Sequence, residues 1–224
     1  MWTISELKQR GKAAFRANYW TAVVAGLILT ASTSSEITTR VRDVSQTVQE
    51  GGFPPQAQAV VLTAVSIGGL LGMLIKIFGF SPLEVGGRRF FLVNSVSKAS
   101  LGEFAWGFKN QYLNVVKTMF FRWLFHFLWT LLFIIPGFIK FYSYSMVPYI
   151  MAEDPGMDSM QAITLSRKLM DGEKMNKFML DLSFIGWFLL SLCTCGLVGF
   201  LYLAPYKAAT DAEFYTVVRG KTVS

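Results

Sequence analysis

Residues 113–135, with the sequence LNVVKTMFFRWLFHFLWTLLFII, decide the fold of this chain. Aromatic and aliphatic side chains fill most positions, and the stretch is long enough to cross the hydrocarbon core of a membrane, which takes ~20 residues of helix. Pro136 and Gly137 follow directly, and this pair favours a turn. The sequence therefore predicts a transmembrane helix that ends in a tight hairpin.

Apolar stretches of similar character occur on both sides of this one. The chain has 224 residues, of which 53% are hydrophobic and only 16% charged, whereas charged residues make up about a quarter of an ordinary soluble domain. This composition excludes a water-soluble enzyme. We expect residues 1–224 to form a single all-α domain, a polytopic transmembrane helical bundle with six spans arranged as three hairpins. The predicted spans are 18–34, 57–80, 113–135, 138–152, 178–192 and 196–214.

The distribution of basic residues predicts the topology. Fourteen Lys and Arg residues fall in the N-terminal segment, in 81–112, in 153–177 and in the C-terminal tail, against three (Arg40, Arg42 and Lys140) in the segments between. Because cytoplasmic loops carry the excess of Lys and Arg, we expect both termini in the cytoplasm, with the protein in the plasma membrane. A cleaved signal peptide is the alternative for the first span, but its removal would leave an odd number of spans and export the basic loops.

The net charge of +7 is expected to act on anionic lipid headgroups rather than on nucleic acid, because the basic residues lie beside apolar spans. In the first helix, capped by Thr3 and Glu6, an apolar face with Leu7 and Phe15 opposes basic residues, which predicts an amphipathic helix on the cytoplasmic leaflet. The aromatic and basic loop 81–112 is predicted to lie in the same interface. A further amphipathic helix is predicted outside the membrane over 35–56.

Small and sulfur-containing residues give weaker signals. Gly68 and Gly72 form a GxxxG pattern that lets another helix approach closely, although glycines that are merely tolerated in an apolar helix explain the pattern equally well. Cys193 and Cys195 lie one residue apart, and His126 is the sole histidine, so neither a disulfide framework nor a structural zinc site is expected. We expect no cofactor.

A weak repeat is visible in the prolines of the even-numbered spans, at Pro82, Pro148 and Pro205.

Four phrases of the chain carry a family resemblance. They are EVGGRRFF (84–91), IIPGFIKFYSYSMVPYIMAE (134–153), ITLSRKLMDGEKMNKFMLDLSFIGW (163–187) and TCG after the fifth span. With them the chain resembles the bacterial integral-membrane family catalogued as domain of unknown function 975, and more distantly the six-helix membrane domain attached to some glycerophosphodiester phosphodiesterases. The resemblance implies a six-helix bacterial membrane protein and supplies no catalytic residues.

A polar ridge runs through the third span. Its members recur every fourth residue and therefore share one face of the helix: Asn114, Thr118, Arg122, His126 and Thr130. Polar groups cost at least ~2.5 kcal/mol each against lipid, so the ridge must face protein or water. One interpretation is a buried, internally paired stripe that fixes helix packing; the other is a cavity or pathway lined by Arg122 and His126. We favour the buried stripe.

Charges in the other spans complete the candidate intramembrane polar site. Arg122 leans toward the cytoplasmic face and is predicted to pair with Asp181, one turn inside the fifth span. Lys207 lies deep in the sixth span with Asp211 one turn away as its expected partner. Lys207 is the best candidate for a functional intramembrane charge. Lys140 is expected to extend to the outer surface.

The motifs favour binding over catalysis. The sequence has no HExxH, no GxSxG and no phosphate-binding loop, and His126 and Cys193 are predicted at different depths, so a paired nucleophile and base is missing. We expect a non-enzymatic membrane protein that binds or modulates an envelope protein, an amphipathic peptide or a lipid. The alternative function is a small-solute transporter or channel lined by the ridge of the third span.

Overall fold

The computed structural model of the chain describes residues 2–33 and 54–223. Of these residues, 86% lie in helices and none in a strand, so the predicted all-α class is confirmed. The amphipathic helix predicted for residues 35–56 lies almost entirely outside the described residues.

The described chain is a succession of helices joined by short turns. In chain order they are α1 (Ile4–Ala17), α2 (Tyr19–Thr33), α3 (Pro55–Ile75), a π-helical turn (Lys76–Phe80), α4 (Ser81–Val96), a 3₁₀ turn (Leu101–Ala105), α5 (Trp106–Lys109), α6 (Tyr112–Leu132), α7 (Ile134–Ser143), α8 (Val147–Glu153), α9 (Ser159–Leu169), α10 (Lys174–Leu182), α11 (Ile185–Cys193), a second π-helical turn (Gly199–Leu203) and α12 (Ala204–Val223).

Three stretches of helix have the length and apolar composition that crossing a membrane requires. They are Gln56–Val96, Tyr112–Leu132 and Lys174–Cys193, and they contain the predicted spans 57–80 and 178–192 and most of 113–135. Tyr19–Thr30 is apolar but shorter. The predicted span 138–152 is interrupted at residues 144–146, between α7 and α8. These helices indicate a membrane protein.

The centre of the fold is formed by α4, α8 and α12. Helix α4 packs against both of the others, and Tyr149 of α8 stacks on Tyr215 of α12 with ring centroids 5.1 Å apart. Each helix carries a proline in its first turn: Pro82, Pro148 and Pro205. Pro148 follows the turn at residues 144–146, where its missing N–H would have no partner within the helix. Pro82 and Pro205 each follow a π-helical turn inside a continuous helix, so the altered turn lies where proline removes a backbone donor. Two of the three prolines noted in the sequence therefore share one local setting.

Helix α1 packs on protein along the face that was assigned to lipid. Leu7, Gly11 and Phe15 are buried, and a Cβ at Gly11 would lie 2.5 Å from Oγ1 of Thr210 in α12. Spacing by four residues places these side chains on one face, and the glycine lets the two backbones approach closely. An apolar face is satisfied by protein as well as by lipid, so the prediction of a helix whose face is buried in the leaflet is wrong for these residues.

Residues 81–112 are not the interfacial loop that the sequence predicted. Ser81–Val96 is helical, and Phe90 and Phe91 are buried in the protein core. Glu84 and Arg88 lie one helical turn apart and form an ion pair, so these charges meet protein partners instead of water. The predicted placement of these side chains in the membrane interface is therefore wrong here.

The turn between α6 and α7 differs from the prediction by a few residues. The chain turns at Phe133, which has extended backbone, and Pro136 and Gly137 lie in the first turn of α7. A Cβ at Gly137 would be 2.7 Å from the Cα of Thr130. Gly137 is thus needed for the close approach of the two helices rather than for the turn itself.

Candidate functional site

Four charged side chains from α10 and α12 form a closed cluster, which we call the four-charge cluster. Nζ of Lys177 lies 2.6 Å from Asp211 and 2.8 Å from Asp181. Nζ of Lys207 lies 2.8 Å from Asp181 and 3.0 Å from Asp211. Each lysine thus bridges both carboxylates, and in each helix the two members are four residues apart and share a face.

Burial explains why these charges are paired so completely. Lys177 is 5% exposed and Asp211 8% exposed. Removing a charge from water costs several kcal/mol, which only close and well-aligned partners can offset. Alternation of lysine and aspartate around the cluster gives every charge two partners of opposite sign.

A second group of charges lies on α4 and α6. Arg122 binds Glu84 through two parallel hydrogen bonds, each 3.3 Å long. Arg88 lies 3.8 Å from the same carboxylate and donates a hydrogen bond of 3.1 Å to the hydroxyl of Tyr149. Arg88 also interacts electrostatically with Asp211. This group and the four-charge cluster together make what we call the seven-charge network.

The predicted pair of Arg122 and Asp181 is wrong. Arg122 binds Glu84, and Asp181 binds the two lysines. The predicted pairing leaves out Glu84 and Lys177, because both lie in segments that the sequence predicts as cytoplasmic loops, 81–112 and 153–177. A signal for these partners is present in the sequence, because oppositely charged residues stand four apart in two places, Lys177 with Asp181 and Glu84 with Arg88. Lys207 and Asp211 do form the ion pair expected of them.

The ridge of α6 lies against protein along most of its length. Asn114 donates hydrogen bonds to the carbonyls of Pro155 and Met157, and Thr118 donates to Ser159. Further along, the ring of His126 lies 5.6 Å from that of Phe141. Thr130 donates to the carbonyl of His126. Side-chain contacts with other segments thus extend from Asn114 to His126, whereas Thr130 is exposed and bonds within its own helix.

Other residues singled out in the sequence lie away from this network. Gly68 is exposed, and a Cβ there would meet no described atom within 4 Å, whereas Gly72 is buried. Lys140 has its Nζ 4.6 Å from the ring centroid of Trp129. Cys193 and Cys195 are free and exposed. Among the described residues, no three His, Cys, Asp or Glu side chains are placed to hold a metal ion.

A cavity of about 360 Å³ adjoins the seven-charge network; we call it the amphipathic cavity. Arg88, Lys207 and Asp211 line its charged end. Its other walls are made by α2, α11 and the second π-helical turn, and the larger side chains there are apolar: Leu29, Phe188, Phe200 and Leu203. Lys207 keeps 36% of its side-chain surface exposed despite its two ion pairs. The cavity therefore combines apolar walls with a charged end.

A second cavity, of about 520 Å³, lies between α1 and the end of α4. It is lined by Arg10, Lys98 and Glu213 together with alanines, serines and Val96. Arg10 and Glu213 already form an ion pair of 2.5 Å. Because its walls lack large apolar side chains, this cavity offers little surface to an apolar ligand.

Comparison with known proteins identifies the family. Residues 90–222 match the family described as protein of unknown function DUF975, and since the match covers more than half of the chain, the protein belongs to this family. No curated protein and no solved structure matches the chain significantly. The matched segment contains the four-charge cluster, whereas Glu84 and Arg88 precede it.

Proposed function

We propose that this chain is a polytopic membrane protein that binds an amphiphilic, lipid-like ligand in the amphipathic cavity without transforming it. The observation that carries the proposal is the lining of this cavity, which is apolar apart from hydroxyls and one charged end. Its volume of about 360 Å³ falls within the usual range for small-molecule sites, roughly 300–1,000 Å³. A ligand with an apolar body and a polar end matches both parts of the lining.

The state of the charged groups supports binding rather than catalysis. Both oxygens of Asp211 already accept hydrogen bonds, one from Lys177 and one from Lys207. A general base must take up a proton, and two ammonium partners stabilise the charged form of a carboxylate and so weaken it as a base. Among the described residues that line the cavity, Asp211 is the carboxylate, and its pairing leaves it poorly suited to accept a proton.

We further propose six spans arranged as three hairpins, with both termini in the cytoplasm of the plasma membrane. The uneven distribution of Lys and Arg supports this topology. Single cysteines at Val48 and Ser224, in a chain lacking Cys193 and Cys195, test it in intact cells. An impermeant thiol reagent should label the cysteine at position 48 alone, and labelling at position 224 would refute an even number of spans.

Blocking the amphipathic cavity tests the binding function. Ala204 lines the cavity, so Ala204→Phe would fill space that the ligand occupies. Ala64 is exposed on α3, and Ala64→Phe is a matched control that adds the same ring elsewhere. Mass spectrometry of lipids retained after purification should find the same species in the wild type and in Ala64→Phe, and a loss in Ala204→Phe, with all three melting at similar temperatures.

Two results would contradict the proposal. Equal lipid retention in Ala204→Phe and in the wild type would show that the cavity is not the binding site. Solute or ion flux in liposomes that is abolished by Arg122→Ala or Lys207→Ala would favour the alternative, a small-solute transporter.

A further inference from the structure

Resting on the proposed function, we infer that the charged end of the amphipathic cavity selects lipids with an anionic phosphate head group over zwitterionic ones. The first support is the charge of the seven-charge network. It contains four cations and three anions: Arg88, Arg122, Lys177 and Lys207 against Glu84, Asp181 and Asp211. One positive charge is thus in excess in a poorly hydrated place, where an unpaired charge is costly. A ligand of negative charge balances it.

Unused hydrogen-bond donors lie on the two cations that line the cavity. A guanidinium has five N–H donors, but within the described residues Arg88 makes one hydrogen bond, from a terminal nitrogen to Tyr149. Lys207 gives two of its three N–H donors to Asp181 and Asp211. Both cations therefore retain donors for an anion, and Arg88 offers the planar fork that suits phosphate.

The anions of the network are, in contrast, already paired with cations. The two oxygens of Glu84 each accept from Arg122, and those of Asp211 accept from Lys177 and Lys207. Asp181 contacts both lysines through its Oδ1 and is not among the residues that line the cavity. The ammonium group of a zwitterionic head group would find these carboxylates already paired, so it would gain little at this site.

The apolar walls identify the source of the phosphate as a lipid rather than a free ion. Leu29, Phe188 and Phe200 line the same cavity as Arg88 and Lys207. Inorganic phosphate would leave those walls uncovered, whereas the acyl chain of a lipid contacts them. Head group and chain together fill both parts of the cavity.

Equilibrium binding of two lipids with identical chains tests the selectivity. A fluorescent short-chain phosphatidylglycerol is compared with the phosphatidylcholine analogue in detergent micelles, with inorganic phosphate alone as a third arm. We expect the full-length wild type to prefer phosphatidylglycerol about tenfold or more, since a charge-assisted hydrogen bond contributes about that factor. Phosphate alone should bind far more weakly.

Variants assign the preference to the cavity. Arg88→Gln should lower the preference toward unity, and Arg88→Lys should restore part of it. Arg89→Gln is the matched control, because Arg89 is the neighbouring residue and binds Glu103 and the carbonyl of Ala152 instead of lining the cavity. Arg89→Gln should therefore leave the preference unchanged.

The possible failures are distinguishable. Equal affinity of the wild type for both lipids would overturn the head-group inference while leaving the proposed function in place, and absence of binding for either lipid would overturn the proposed function as well. Binding of inorganic phosphate as tight as that of phosphatidylglycerol would refute a lipid as the source. An equal loss of selectivity in Arg88→Gln and Arg89→Gln would show that Arg88 does not recognise the head group.

Discussion

Replacing Lys177 by methionine removes one cation from the centre of the four-charge cluster. Its Nζ lies 2.6 Å from Asp211 and 2.8 Å from Asp181, and the residue is 5% exposed. Methionine fills similar space without charge. In Lys177→Met, Lys207 alone would face the two carboxylates of the four-charge cluster, and each carboxylate would lose one of its two lysine partners.

The expected loss follows from the burial of the pair. Breaking a buried ion pair by removing one partner costs ~3–5 kcal/mol. For a chain of 150–250 residues, each kcal/mol shifts the melting temperature by about 2–4 °C. We therefore expect Lys177→Met to melt about 6–20 °C below the wild type.

A second substitution should recover much of this loss. Asp181→Asn in the Lys177→Met background removes the surplus anion and leaves Lys207 paired with Asp211 at 3.0 Å. Because the two residues belong to one network, their effects should be strongly non-additive. The double variant should regain more than half of the lost melting temperature.

Thermal unfolding in detergent, followed by intrinsic fluorescence, measures these differences. Lys174→Met is the matched control, one turn earlier in α10. Its partner Asp171 lies 3.4 Å away with 85% of its side chain exposed, and such exposed pairs contribute about 1 kcal/mol or less. Strictly additive losses in the double variant, or a loss in Lys174→Met as large as in Lys177→Met, would refute the argument from buried pairing.

Two further predictions concern α12. Burial of the Glu173 carboxylate acts to raise its pKa, but the hydrogen bonds from Lys221 and Asn176 outweigh burial and lower the pKa. Lys221→Met should therefore reduce the melting temperature at pH 7. The reduction should become smaller as the pH falls below about 4.3, the pKa of a glutamate in the unfolded chain. Gly11→Ala should cost about 1–3 kcal/mol of stability through overpacking against Thr210. We expect this cost to exceed the ~1 kcal/mol that alanine gains over glycine in a helix. Gly186→Ala is the control: a Cβ there meets open space, so it should not destabilise the protein in the same thermal assay.

Apolar helices were predictable from the sequence because their signal is local. The third span was predicted at 113–135, and α6 runs over Tyr112–Leu132. Length, hydropathy and the Pro136-Gly137 pair are all properties of neighbouring residues, so they can be read without knowing which helices pack together.

The charge partners were not predictable in the same way. A charged residue beside an apolar stretch usually marks the end of a span. This rule places Glu84 and Lys177 in loops. In the structure both are buried, at 8% and 5% exposure, because Arg122 and Asp211 reach them from other helices. Hydropathy registers the cost of a buried charge and not the partner that offsets it.

The face of α1 illustrates a second limit of sequence patterns. The spacing of Leu7 and Phe15 predicted an apolar face, and both side chains are indeed buried. Lipid and protein offer such a face a similar apolar environment, so periodicity does not distinguish them. Gly11 lies between the two and indicates that the face packs on protein, because a glycine on that face permits the close approach of another backbone.

The charged end of the amphipathic cavity is built from two segments whose charges run in opposite order. Glu84 and Arg88 stand two and six residues after Pro82, and Lys207 and Asp211 occupy the same offsets from Pro205. Had both segments carried the same order, like charges would occupy matching positions on two helices that pack together. With the order inverted, Arg88 interacts favourably with Asp211. The inversion thus avoids like charges at matching positions of α4 and α12, and Arg88 and Lys207, one from each segment, line the same cavity.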